Sequence, residues 1–222
     1  MDRAIWICGL LGVLASLMVG MGEFLIHFNP EGLELNQPYG YFLGIDPGRL
    51  KQGHYIMVPF IPLYIFGYWH LHLAIRPGHP RLATTLLALG VFAFVLGGIW
   101  VGSRAYFGHV IQLTQDDSYR QLRVQLIDHY DALLETLVEL LRLIVLMISV
   151  VFVWAILKGG TLYPHWMAFF NPITLLLIIF GLFFFARPIG QYLAPTAMNV
   201  AHFILFSVSL LAVKPLPNIK EK

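Results

Sequence analysis

Charge is what this chain has least of. Asp, Glu, Lys and Arg make up 12% of its 222 residues and hydrophobic types 58%, whereas a soluble domain carries about 25% charged residues. A surface so poor in charge faces lipid, which places the chain among membrane proteins before any motif is read. Cysteine is nearly missing as well: Cys8 stands alone, which excludes an internal disulfide and any cysteine-based metal site. The apolar runs hold no H-x-x-H, H-x-x-x-H or E-x-x-H motif, so a metal or haem would have to draw its ligands from several helices. A phosphate-binding loop and a dense basic patch are both lacking, which excludes nucleic acid as a partner. No repeat relates the first half to the second, and this ranks transport below other membrane functions.

Long apolar runs are what the chain has in abundance. A span needs about 20 mostly apolar residues, and six runs qualify, at approximately 4–28, 55–75, 82–106, 138–157, 168–186 and 193–213. The expected fold is all-α, one integral membrane helical bundle over residues 1–222. The first run lacks a small-x-small cleavage site and is read as a retained span rather than a signal peptide. Six crossings put both termini on one side. That side carries seven Lys and Arg against two acids, and the opposite side seven against ten. Because Arg104 and Arg142 belong to helices rather than loops, the positive-inside rule places the termini in the cytoplasm.

Small residues suggest how the helices meet. Gly12, Ser16 and Gly20 recur every four residues on the first span, and Gly98 with Gly102 does so on the third; such faces let backbones approach closely. Pro59 and Pro62 predict an irregular opening to the second span, and Pro172 is tolerated in the fifth if it opens the helix. From 118 to 157 there is neither Pro nor Gly, and leucines recur at helical intervals. The long third loop is therefore expected to form a helix continuous with the fourth span.

Ionisable side chains at membrane depth are costly and usually face a cavity or a partner. Glu23 and His27, one turn apart on the first span, and Glu135 and Glu139 on the helix that runs into the fourth are the candidate proton donors and acceptors. Arg104, His109, His129, Arg142, Asn199 and His202 are the candidate ligand-binding residues around them, all on the side opposite the termini. Asp116, Asp117, Asp128 and Asp131 read as solvated charge, Glu31, Glu34 and Asp46 as a surface loop, and the 215–222 tail as a solvated end. Tyr68, Trp69, His70 and His72, followed by His79, read as an aromatic and basic interface belt.

Three kinds of chemistry stay open. One is acid–base work on a lipid or isoprenoid-like molecule entering from the membrane, with an arginine holding an anionic headgroup or keeping a carboxylate charged. Another is a His/Glu metal or haem site, although no metal ligand is singled out and no cofactor follows from the residues. The last is a non-enzymatic lipid-binding or transport protein or complex subunit, in which the charges are structural ion pairs such as Glu139 with Arg142. Membrane lipids, a hydrophobic small molecule, and copies of itself or other membrane subunits are the partners these allow.

The stretches Thr161-Leu-Tyr-Pro-His-Trp-Met-Ala-Phe-Phe-Asn-Pro172, Gly22-Glu23 and Leu193-Ala-Pro-Thr-Ala-Met-Asn-Val-Ala-His202 resemble an uncharacterised family of bacterial polytopic membrane proteins. The likeness covers most of the chain and implies a bacterial inner membrane but no activity. In architecture and chemistry the chain is also similar to the emopamil-binding sterol-isomerase group, whose membrane carboxylates and histidine shift a double bond. That group has five spans and places its His four residues before its Glu, whereas here Glu23 precedes His27.

Overall fold

The computed structural model describes residues 3–29 and 38–213. Glu31, Glu34 and the 215–222 tail lie outside the described residues. Among those described, every regular element is helical: α1 (Arg3–His27), α2 (Pro47–Met57), α3 (Tyr64–Ile75), α4 (Pro80–Leu113), α5 (Arg120–Leu157), α6 (Pro172–Phe185), α7 (Arg187–Leu193) and α8 (Ala197–Ala212), with short tighter turns between them. Five helical stretches, Arg3–His27, Pro47–Ile75, Pro80–Leu113, Asp117–Leu157 and Arg187–Ala212, are long and apolar enough to cross a membrane, and α6 is a shorter apolar helix. Large apolar side chains such as Leu10, Val150, Leu177 and Phe185 point outward, as a surface bathed in lipid requires.

Local chemistry sets most boundaries. Asp46 caps α2 by accepting from the Arg49 backbone N–H at 3.1 Å, and Pro47 opens the helix. The Arg49 side chain in turn donates to the Phe28 carbonyl at 2.6 Å, satisfying the end of α1. Pro59 and Pro62 fall in the tighter turn Val58–Leu63 that joins α2 to α3, so the second run is one interrupted helix from Pro47 to Ile75 rather than a span starting at 55. Pro172 opens α6 behind an Asn171 cap, whose Oδ1 accepts from the Thr174 N–H at 3.1 Å; the helix therefore starts four residues later than the apolar run. Gly159 and Gly160, with φ of 78° and 73°, end α5 in the left-handed region that glycine enters without penalty. The predicted continuity of the third loop with the fourth span appears as the single helix α5, 38 residues long.

The first helix sits among α2, α3 and α8, while α4 packs along α5. Close approach explains its glycines. A Cβ on Gly12 would lie 2.4 Å from the Gly67 Cα, and one on Gly22 would lie 2.5 Å from the Gly53 carbonyl oxygen, so α1 touches α3 and α2 backbone to backbone. On α4 the expectation differs from the outcome. Gly98 would meet only the Ile61 side chain and Gly102 nothing within 4 Å, so these glycines leave room instead of joining helices.

The supposed interface belt is also divided by the structure. Trp69 is exposed, but Tyr68, His70 and His72 are buried in the bundle. His70 Nδ1 faces the Ile5 carbonyl at 2.8 Å and must carry the proton, so Nε2 accepts from Ser209 Oγ at 2.6 Å, and Ser209 accepts from the Tyr163 hydroxyl at 2.5 Å. This layer ties α1, α3, α8 and the approach to α6 together at one end of the bundle. At the other end Pro195 lies beside His27, so residues 163 and 195 sit at opposite ends of the helices.

Candidate functional site

A cavity of about 360 Å³ opens between α1, α3, α4, α5, α6 and α8. That lies within the roughly 300–1,000 Å³ typical of small-molecule sites. Its walls are mostly apolar, from Val19, Ile61, Phe94, Val101, Leu141, Val145, Leu176 and Phe180. Polar groups enter from Glu23 on α1, Tyr64 and Tyr68 on α3, Asn199 and His202 on α8, and Arg142 on α5. Gly97 and Gly98 form part of the α4 wall, where a side chain would occupy the space.

Glu23 is 5% exposed and held from two directions. Asn199 Nδ2 donates to its Oε2 at 2.5 Å, and the Tyr64 hydroxyl donates to Asn199 Oδ1 at 2.5 Å, which fixes the amide orientation. Its Oε1 lies 3.7 Å from His27 Nδ1, beyond direct hydrogen-bond distance. Behind it, Arg104 Nε donates to His27 Nε2 at 3.0 Å, so that nitrogen is an acceptor and the ring proton belongs on Nδ1. Glu23, neutral His27 and Arg104 thus form a line from the cavity into the protein.

Arg104 ends that line in an aromatic cage. Its guanidinium carbon lies 4.9 Å from the Tyr39 ring centre, 5.5 Å from Phe42, 5.2 Å from Trp100 and 5.8 Å from Tyr130. A desolvated cation over several ring faces is attracted by each, and Arg104 also donates to the Tyr41 hydroxyl. Tyr39 adopts a left-handed backbone, φ 60°, a strained conformation for a bulky residue. It projects a hydroxyl that donates to Asp131. Asp131 is therefore engaged with the cage and is not the solvated charge expected of it. Burial is the main cause that pushes the Tyr39 and Tyr41 hydroxyls up to about 12, with the Asp131 hydrogen bond adding to it for Tyr39.

The other expected residues fall in different places. Asn199 and His202 line the cavity, but both nitrogens of His202 are engaged: Nδ1 with the Met198 carbonyl at 2.8 Å, hence protonated, and Nε2 accepting from the Tyr68 hydroxyl at 2.7 Å. His27 and Arg104 stand behind Glu23 and do not line the cavity. Glu139 is exposed and paired with Arg142, three residues on, whose stem reaches the cavity wall while its side chain is 68% exposed. Glu135 and His129 are exposed, His129 bonding the Gln125 carbonyl at 2.8 Å, and His109 is half-buried on α4; none of the three lines the cavity. Tyr39, Tyr41, Tyr64, Tyr68, Trp100 and Tyr130 were not singled out for the site from sequence. The four-residue spacing of Tyr64 and Tyr68, one turn apart on α3, is the signal that points to two of them. Among the described residues no three His, Cys, Asp or Glu side chains gather as a metal site.

Residues 1–215 match a family described as a family of unknown function, DUF6796. Neither a curated protein nor a solved structure matches the chain.

Proposed function

We propose, since the chain belongs to the DUF6796 family and membership assigns no activity, a function built from the site: an integral membrane protein that binds an apolar molecule with one polar end and exchanges a proton with it through Glu23. One observation carries this. Glu23 is a buried carboxylate at the wall of a mostly apolar cavity, with one oxygen held by Asn199 and the other held by no hydrogen bond from a described residue. A proton acceptor in such surroundings acts at low dielectric, where its interaction with a reacting group is strong. His27 Nδ1 lies 3.7 Å from the carboxylate and beside the Pro195 carbonyl, with the Arg104 charge behind the ring. The occupant is lipid or isoprenoid-like, as the apolar walls suit an alkyl or prenyl body. The segment between residues 163 and 195, which contains α6, supplies the sixth crossing, and both termini share the cytoplasmic side of a bacterial inner membrane.

The structural alternative has its own support. Glu139 with Arg142 is an exposed pair on one helix, and Arg104 is fully engaged by protein groups. Those charges need no ligand to explain them, whereas the open oxygen of Glu23 leaves room for one. The test is to purify the chain from its membrane with surrounding lipid and identify co-purifying molecules by mass spectrometry. An apolar molecule present in the wild type and depleted in Gly97→Leu, whose side chain fills the cavity, is the expected result. Equal lipid profiles in both proteins would leave the cavity without a ligand and favour the structural alternative.

A further inference from the structure

The proposed site also carries information on which polar end it accepts. The inference rests on that site and deepens it. Most hydroxyl and imidazole donors at the depth of Glu23 are already committed within the protein. The Tyr64 hydroxyl donates to Asn199, Asn199 Nδ2 to Glu23, and the Tyr68 hydroxyl to His202 Nε2; His202 Nδ1 is turned to the Met198 carbonyl. Arg104, the buried cation nearest the carboxylate, is enclosed by His27, Tyr41 and four rings and lines no part of the cavity. The acceptor left with capacity is Glu23 Oε1, which takes no hydrogen bond from a described residue. An ionised carboxylate accepts and never donates. With Glu23 ionised, an anionic head at this depth would meet a like charge and no cation, which is costly in low dielectric.

We propose that the cavity selects, among amphiphiles of equal apolar length, those whose polar end donates a hydrogen bond, a hydroxyl or an ammonium, and rejects carboxylate ends. Arg142 is the competing anion site, because it reaches the wall near the mouth and spends only part of its guanidinium on Glu139. An acid held there would leave its tail in the cavity and its head outside.

Decanol, decylamine and decanoic acid share one tail length and can be titrated onto the purified full chain, with bound ligand counted by native mass spectrometry. Gly97→Leu serves as the blocked reference that subtracts adsorption to the lipid-facing surface. The alcohol and the amine are expected to bind about tenfold or more tightly than the acid, the worth of one hydrogen bond to a charged group. In Glu23→Gln the amine should lose its advantage over the acid. Decanoic acid binding as well as decanol in the wild type overturns the proposal, and loss of that binding in Arg142→Gln would locate the anion at the mouth. No ligand binding above the blocked reference would overturn the binding site itself. The wild-type ranking decides the matter even if Glu23→Gln fails to fold.

Discussion

The ring proton of His27 has a fixed address. Arginine keeps its protons at any ordinary pH, so the Arg104 bond to Nε2 leaves the ring proton on Nδ1, 3.7 Å from Glu23 Oε1 and beside the Pro195 carbonyl. The two charges act as one ion pair stretched across an imidazole, and removing either leaves the other buried alone. Arg104→Gln and Glu23→Gln are each expected to cost about 3 kcal/mol, and the double variant less than their sum. Thermal melts of the four proteins in one detergent check this, and strictly additive losses would show that the charges do not sense each other. The cage has its own pH limit. Tyr39 and Tyr41 are held near 12 instead of the ordinary 10, so between pH 10 and 12 the unfolded chain releases protons that the folded chain keeps. Stability should fall as pH rises through that window. Ultraviolet titration of Tyr39→Phe and of Tyr41→Phe should each show one late-ionising hydroxyl fewer than the wild type; an unchanged late phase would rule out their burial as the cause. Glu23 and His27 were legible in the sequence because an ionisable group in an apolar run demands a partner. The tyrosines were not, because a tyrosine near a span end is most often an interfacial anchor, and only packing separates the two roles.

At the scale of the element, two glycine pairs that look alike in the sequence do opposite work. Gly12 is where α1 rests on the Gly67 backbone, whereas Gly102 faces open space. Gly12→Ala should force α1 and α3 apart at a cost of about 1–3 kcal/mol. Gly102→Ala meets nothing and should gain up to about 1 kcal/mol from helix propensity. Folded yield and melting temperature of the two variants distinguish them, and similar losses in both would contradict the packing of α4. Spacing predicts that a face is small, but it cannot say what lies across from it. Helix α5 was more legible, since an uninterrupted run without Pro or Gly at helical leucine spacing leaves few other structures. Its acids were misleading for the same reason. The stripe of Asp128, Asp131, Glu135 and Glu139 is real, yet Asp131 bonds Tyr39, and Glu135 and Glu139 face outward.

For the whole molecule, length separates what crosses from what projects. At 1.5 Å per residue, the 38 residues of α5 span about 57 Å and the 34 of α4 about 51 Å. A hydrocarbon core is about 30 Å thick, so their joined ends extend beyond it as a helical hairpin. The proposed six-crossing topology puts this hairpin and α7 on one side and the α3–α4 turn on the other. In a Cys8→Ser background, an impermeant maleimide applied to intact cells should treat Leu113→Cys and Ile189→Cys alike and Arg76→Cys oppositely. Ile189→Cys behaving as Arg76→Cys would remove the sixth crossing. That several helices are long and apolar enough to cross was readable from the sequence; the non-helical entry to α6 was not, because it depends on Asn171 and Pro172 stopping the helix short inside an apolar stretch.

Helix α8 belongs to both polar layers, through Asn199 and His202 at one end and Ser209 at the other. His202 and Ser209 are seven positions apart, two helical turns, so they leave the helix in nearly the same direction. Loss or gain of a single residue between them would swing one layer about 100° away from its partners while the other stayed in place. Over evolutionary time this stretch can therefore exchange its outward-facing letters but cannot change its length, and relatives of this protein should align here without gaps even where little else in their sequences agrees.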